Sequence, residues 1–244
     1  MGKIMLVTSG KGGTGKSTVA LNLGISLANE GKKAIVIELD SGMRCLDLML
    51  GIDSIVYDLG DILLGNCALQ EAIYETEPIE NLSIIAAPAK SNFAISSQRF
   101  VALCRQLGTV YDFVILDTPA GIGSALAAAT EAASHALVVT NLSPISVRDA
   151  EKAADFLRSS GLKRIRLVVN FVPLEFESKD EIADIDDIID TVGAQLIAVI
   201  PEDKLFRKCV LDRTKKEIKK SVGNVAFQNL AARVAGREVP SLFK

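Results

Sequence analysis

A chain of 244 residues that is 49% hydrophobic and 23% charged carries enough apolar material for one sizeable core, which excludes a disordered polypeptide. Its net charge of -3 excludes a protein that coats nucleic acid over a broad basic surface, and no apolar run approaches the ~20 residues of a bilayer span. The four cysteines, Cys45, Cys67, Cys104 and Cys209, form no C-x-x-C or C-x-C pair and have one histidine, His135, to help them, so spacing gives no zinc site or disulfide framework.

The first strand is expected at Lys3–Thr8, and MGKIMLV runs into it without a signal-peptide layout, so the expectation is a cytoplasmic protein. A helix follows over Lys16–Glu30, with Val19, Leu23, Ile25 and Leu27 on its apolar side and Gly31 as its stop. Strands are then expected at Lys33–Leu39, Leu82–Ala87, Phe113–Asp117, Ala136–Asn141, Ile165–Val172 and Gln195–Ile200. Between and after them, helical spacing covers Asn92–Leu107, Ser124–Ser134, Val147–Ser160, Asp180–Thr191 and Val222–Ala235. Runs such as AIVIEL, FVIL, ALVV and LIAVI are apolar on both faces, as strands of a parallel sheet covered on both sides must be. The fold class is therefore α/β: a single doubly wound, mostly parallel sheet with helices on both faces. With no internal repeat and no linker, residues 1–244 read as one domain.

Between the first strand and the first helix lies SGKGGTGKST, residues 9–18, which satisfies G-x-x-x-x-G-K-[ST] from Gly10 to Ser17. Glycines at 10, 12, 13 and 15 let backbone N–H groups turn inward around phosphate oxygens, and the helix that starts at Lys16 adds its partial positive charge. Lys11 and Thr14 fill the remaining loop positions, Lys16 can reach the β and γ phosphates, Ser17 can ligate Mg²⁺, and Thr18 can bond the α phosphate. Asp40 closes IVIELD and Asp117 closes FVILD, so both end strands at the edge where such a sheet binds ligands. Asp117, followed by Thr-Pro-Ala-Gly, has the layout of an acidic residue that holds Mg²⁺. Lys11 is the departure from an ordinary phosphate loop, because two ammoniums a few ångströms apart repel by about 1 kcal/mol even in water. It points to a second anionic partner or to charge that develops during a reaction, and suggests a phosphate on another subunit.

The run KGGTGKST, Lys11–Thr18, resembles the variant phosphate loop KGGxGK[ST] of the ParA/MinD ATPases, a branch that also includes the nitrogenase iron protein and several metal-insertion ATPases. DSGMRCLDLMLG, Asp40–Gly51, is similar to the MinD form D-x-G-x-R-x-L-D-x-x-x-G; VYDLGDILLGNCALQEAI, DTPAGI, SVRDAEKA and VIPED are similar to that branch too, so the likeness spans residues 3–203. The resemblance implies a Mg-dependent ATPase (ATP to ADP and phosphate) that forms an ATP-sandwiched homodimer and acts as a switch in cell-division site placement. Lys11 would cross to the partner's nucleotide and Lys16 serve its own; Asp40 would orient the attacking water, and Ser17 and Asp117 would hold Mg²⁺. Asn170 would read the adenine ring, with Pro201, Glu202 and Asp203 flanking the base. Hydrolysis would be slow until a partner stimulates it, and SVRDAEKAADF, residues 146–156, would meet a MinC-like or MinE-like regulator or else be a solvated face.

The chain stops at REVPSLFK, where MinD proteins continue into an amphipathic basic helix, so direct membrane binding is not expected and attachment to the inner face of the membrane would come through a partner. RTKKEIKK, residues 213–220, reads as a solvated helix face or as a contact for membrane, DNA or the partner subunit. The segment FVPLEFESKDE after Asn170 is acidic, which ranks a ParA-type partitioning role lower. A metal-insertion ATPase is the other alternative; it calls for a cysteine pair at the dimer axis, with Cys104 the residue to watch.

Overall fold

All seven apolar runs become strands of one sheet in the computed structural model, which describes residues 1–174, 184–204 and 221–239. The strands are β1 (Lys3–Thr8), β2 (Ala34–Glu38), β3 (Tyr74–Glu75), β4 (Leu82–Ile85), β5 (Phe113–Asp117), β6 (His135–Thr140), β7 (Ile165–Val172) and β8 (Gln195–Pro201). Their spatial order is β3-β4-β2-β5-β1-β6-β7-β8, parallel throughout except for β3, which runs antiparallel to β4. The chain thus enters the sheet at a central strand and winds outward in both directions, which puts a crevice at the carboxyl ends of β1, β2 and β5.

The helices among the described residues are α1 (Lys16–Asn29), α2 (Leu46–Leu50), α3 (Leu59–Leu64), α4 (Ser97–Leu107), α5 (Ser124–Ala132), α6 (Pro144–Ser159), α7 (Ile185–Val192) and α8 (Val222–Val234), with a 3₁₀ turn at Leu69–Ala72. Alternation along each strand decides which layer a side chain enters. Ile4 and Leu6 of β1, Ile35 and Ile37 of β2, and Val114 and Leu116 of β5 join the core beneath α4 to α7. Met5 and Val7, Ala34 and Val36, and Phe113 and Ile115 face the opposite layer, with Leu21, Leu23 and Leu27 of α1 and Phe227 and Leu230 of α8.

Phe100 is fully buried at the centre of the first layer. Phe100→Ala is expected to lower stability by about 3–5 kcal/mol, read as a shift of the urea midpoint, because the cavity cannot be refilled by a rigid sheet. A loss below about 1 kcal/mol would show that this layer repacks freely.

Local features depart from the sequence-based expectations at a few places. The fourth helix begins at Ser97 rather than Asn92, because Asn92 has φ of 58° and Asn-containing turns of that kind cannot start a helix. The elements β3, α2, α3 and the 3₁₀ turn have no counterpart in the sequence reading: each is two to six residues long, too short for periodicity to register. What starts α3 is instead a capping box, Asp58 accepting from Gly60 and Asp61 while the Asp61 carboxylate takes the Asp58 N–H. Of the helix expected over 180–191, the described part is α7, and the basic run 213–220, the terminal residues 242–244 and Cys209 lie outside the described residues.

Candidate functional site

The phosphate loop connects β1 to α1, and it needs glycine for backbone conformation at Gly13 and Gly15, with φ of 81° and 84°, and for space at Gly10 and Gly15. Gly15 sits at φ 84° as the N-cap of α1, and a Cβ there would lie 2.2 Å from Asn170 Nδ2 and 3.0 Å from the Phe171 ring. Gly10 has ordinary φ but no room: a Cβ would lie 1.9 Å from the Asp149 carbonyl oxygen on α6. At Gly12 and Gly13 the position of a Cβ is open space, which leaves the cradle free for a ligand. Ser9 Oγ donates to the Lys11 carbonyl at 2.8 Å, and Gly121 N donates to the Ser9 carbonyl at 3.1 Å, so the loop after β5 is stitched to the phosphate loop.

The two lysines differ in surroundings. Lys16 is only 8% exposed and its ammonium acts on the Asp117 carboxylate, whereas Lys11 stands exposed on the rim of the loop. Ser17 opens α1 beside them with its hydroxyl next to Asp117, while Thr18 accepts at its carbonyl from Asn22 Nδ2 at 2.7 Å. Asp40 lies half-buried just past the end of β2.

Asp117 ends β5 with its side chain almost wholly enclosed, in register with Val7 of β1 and Glu38 of β2. Burial pushes its carboxyl up to about 7, against the pull of the Lys16 ammonium and the Ser17 hydroxyl; the Glu38 and Asp40 carboxylates add to the rise. A buried acid held this way calls for a cation. Among the described residues, the buried side-chain oxygens without a hydrogen-bond partner are Thr8 Oγ1, Thr14 Oγ1 and Asp117 Oδ1, and all three belong to β1, the phosphate loop or the end of β5. Orphaned oxygens beside a glycine cradle, a buried ammonium and a serine hydroxyl fit a phosphate chain carrying a divalent cation.

Glu38 is a site residue that the sequence reading passed over as part of a strand. It is fully buried, accepts from Cys45 N at 2.7 Å and from Ala87 N at 3.4 Å, and burial raises its carboxyl pKa against those bonds. The Cys45 thiol lies beside the same carboxylate and is pushed up by burial, then by the nearby Glu38 charge. A glutamate inside an otherwise apolar strand, two residues before Asp40, was the available signal. Arg44 of the same loop bonds Asp58 Oδ2 at 2.6 Å and the Ala87 carbonyl at 2.8 Å, and Asp58 Oδ2 also accepts from Ala89 N at 2.8 Å. This partly buried pair pins the loop after β2 to the loop after β4, behind the acidic end of β2 and β5.

On the far side of the phosphate loop, Asn170 is 2% exposed and its Nδ2 donates to the Thr14 carbonyl at 2.8 Å. The remaining N–H and the carbonyl oxygen of that amide are the groups with which a base could be read. Pro201 ends β8, Glu202 N donates to the Val172 carbonyl at 2.8 Å, and Asp203 Oδ2 accepts from Gly223 N at 3.0 Å near the start of α8. The turn is therefore brought next to β7, one residue beyond Phe171. On α6, Asp149 lies 3.7 Å from Arg148 Nε and 3.4 Å from Lys152 Nζ, with both cations largely solvated. Cys104 is fully buried on the core face of α4 and burial pushes its thiol up to about 12, which removes the side chain that a metal-insertion role would expose at a dimer axis.

Such a sheet, with its glycine loop, buried lysine and paired strand-end acids, defines a P-loop nucleotide hydrolase. Residues 2–161 match the family described as an AAA domain. The septum site-determining protein MinD of Synechocystis sp. is 36% identical over 249 aligned positions that cover 99% of this chain and 92% of that protein. The MinD chain of the Aquifex aeolicus MinC:MinD complex superposes with a TM-score of 0.87 at 29% identity, covering 98% of this chain and 97% of that one. Pyrococcus horikoshii MinD, solved with Mg-ADP, gives 0.81 at 31% identity over 96% of both chains. The chain belongs to the MinD family of ParA/MinD ATPases, the septum site-determining proteins. No helix among the described residues is long and apolar enough to cross a membrane.

Proposed function

We propose that this MinD-like ATPase binds ATP with Mg²⁺ in the loop of residues 10–18, closes with a second copy of itself around two nucleotides, and reopens after hydrolysis. The observation that carries this reading is the unequal pair of lysines: one ammonium enclosed beside its own acids, the other free on the rim. Lys16, with the glycine N–H groups, holds the β and γ phosphates; Lys11 reaches the γ phosphate held by the opposite subunit. Ser17 and Asp117 would hold Mg²⁺, which when bound would supply positive charge against the phosphate chain. Asp40 orients water in line with the γ phosphorus, so that the new P–O bond forms as the bridge to the β phosphate breaks. Asn170 and the turn of Pro201, Glu202 and Asp203 place the adenine. The Mg-ADP found in the Pyrococcus horikoshii relative supports the nucleotide and metal parts of the reading.

Phosphoryl transfer gives a protein little to do beyond positioning and charge neutralisation, so a subunit lacking the second lysine turns over slowly. A regulator that tightens the pair then sets the rate. α6, whose Gly10-facing Asp149 ties it to the phosphate loop, is the surface proposed for a MinC-like or MinE-like protein, in line with the MinC bound to the Aquifex aeolicus relative. Attachment to the inner face of the cell membrane would follow from such a partner.

Asp40→Ala should bind ATP and stall before hydrolysis. Size-exclusion chromatography with light scattering, in ATP and Mg²⁺, is expected to show a dimer for this variant and a monomer in ADP; a monomer under both conditions would remove the support for the switch.

A further inference from the structure

Two side chains from the end of β2 and the loop after it, and a third from β5, converge at the carboxyl edge of the sheet. Glu38, Cys45 and Asp117 each present a ligand atom, and these atoms lie within 4.8 Å of one another. Glu38 and Asp117 are register partners on β2 and β5, and Cys45 is folded back over them by the N–H that it donates to Glu38 at 2.7 Å. We propose that these three form a binding site for a thiophilic divalent cation of the zinc class in the nucleotide-free protein.

The donor set is one that zinc accepts and magnesium does not favour. Zinc takes a thiolate and two carboxylate oxygens in a tetrahedral site with water as fourth ligand, whereas magnesium asks for an octahedron of oxygens. Ligand bonds of about 2.0–2.3 Å put tetrahedral edges near roughly 3.5 Å, so the three atoms need to close by about 1 Å, within reach of side-chain rotation. Asp117 contributes a carboxylate that is 1% exposed and has one oxygen, Oδ1, without a partner, so the site already contains an enclosed acceptor awaiting a cation. Cys45 is half-buried and gives the ion a way in. Charge is consistent as well: two carboxylates and a thiolate against the Lys16 ammonium leave two negative charges for a dication to neutralise. The Cys45 thiol gives up its proton to solvent when the cation binds.

The consequence for the enzyme rests on the proposed magnesium role of Ser17 and Asp117. Because Asp117 would serve both ions and Ser17 lies beside both Asp117 and Cys45, a zinc-class ion and magnesium nucleotide exclude each other. Rising zinc would then hold the chain in its open, nucleotide-free state.

Cobalt(II) is the probe, added to the nucleotide-free full chain. A thiolate-to-cobalt charge-transfer band is expected at one equivalent, lost in Cys45→Ser, kept in Cys67→Ser and Cys209→Ser, and requiring at least tenfold more cobalt in Asp117→Asn. Far-ultraviolet circular dichroism shows that each variant is folded. Absence of the band in the parent at millimolar cobalt, or its survival in folded Cys45→Ser, overturns the site. Magnesium ADP is expected to expel the cobalt; a band that persists with ADP bound leaves the cation site standing and overturns the shared use of Asp117.

Discussion

Lys11→Ala is expected to fold and bind ATP as the parent does while losing at least about 1,000-fold of the hydrolysis that depends on association, the scale known for a cation supplied in trans to a transferring phosphoryl group. Lys11 is exposed and makes no packing contribution to either core layer, so its removal leaves the stability of the subunit alone. Lys16, enclosed beside Asp117, still holds the nucleotide. The assay needs no partner protein, because turnover per subunit should rise with protein concentration in the parent and stay flat in the variant. Mixing gives the sharper result. Lys11→Ala and Asp40→Ala are each inactive alone, but a mixed dimer contains one site with its own Asp40 and the neighbour's Lys11, and phosphate release should return. Failure of the mixture to recover activity would place Lys11 in the site of its own subunit.

Gly15→Ala should abolish nucleotide binding, with a loss of more than 100-fold in affinity for magnesium ADP by calorimetry. Two independent costs meet at this position. An alanine at φ 84° carries about 1–2 kcal/mol of backbone strain. Its methyl group would also lie 2.2 Å from the Asn170 amide nitrogen and 3.0 Å from Phe171, so either the N-cap of α1 or the bond from Asn170 to the Thr14 carbonyl has to give way. Gly31→Ala separates the two costs, since φ there is 77° but a Cβ meets nothing within 4 Å. That variant should lose about 1 kcal/mol in urea and keep its ADP affinity. Gly15→Ala binding ADP within threefold of the parent would show that the loop tolerates a side chain, and the geometry argued for it would be wrong.

What could be read without coordinates was what is local. A strand covered on both faces is apolar along nearly its whole length, so AIVIEL and FVIL identified themselves, and the phosphate loop is a contiguous pattern whose chemistry is written in ten neighbouring residues. The acids Asp40 and Asp117 were legible as strand ends for the same reason. Glu38 was not, since its role depends on register with Asp117 across two strands that are far apart in sequence. Cys45 was missed by spacing rules that look for paired cysteines, because its neighbours are carboxylates delivered by two other strands. The early start given to α4 came from apolar spacing that continues through a loop, where the left-handed Asn92 decides the boundary instead.

Gly10 has a meaning beyond close packing. The main chain of the phosphate loop rests directly on the backbone of α6 at Asp149, with no side chain between them to act as a cushion. A side chain added at residue 10 would have to push the phosphate loop and this helix apart, so the spacing between the residues that face phosphate and a surface helix is set by one missing Cβ.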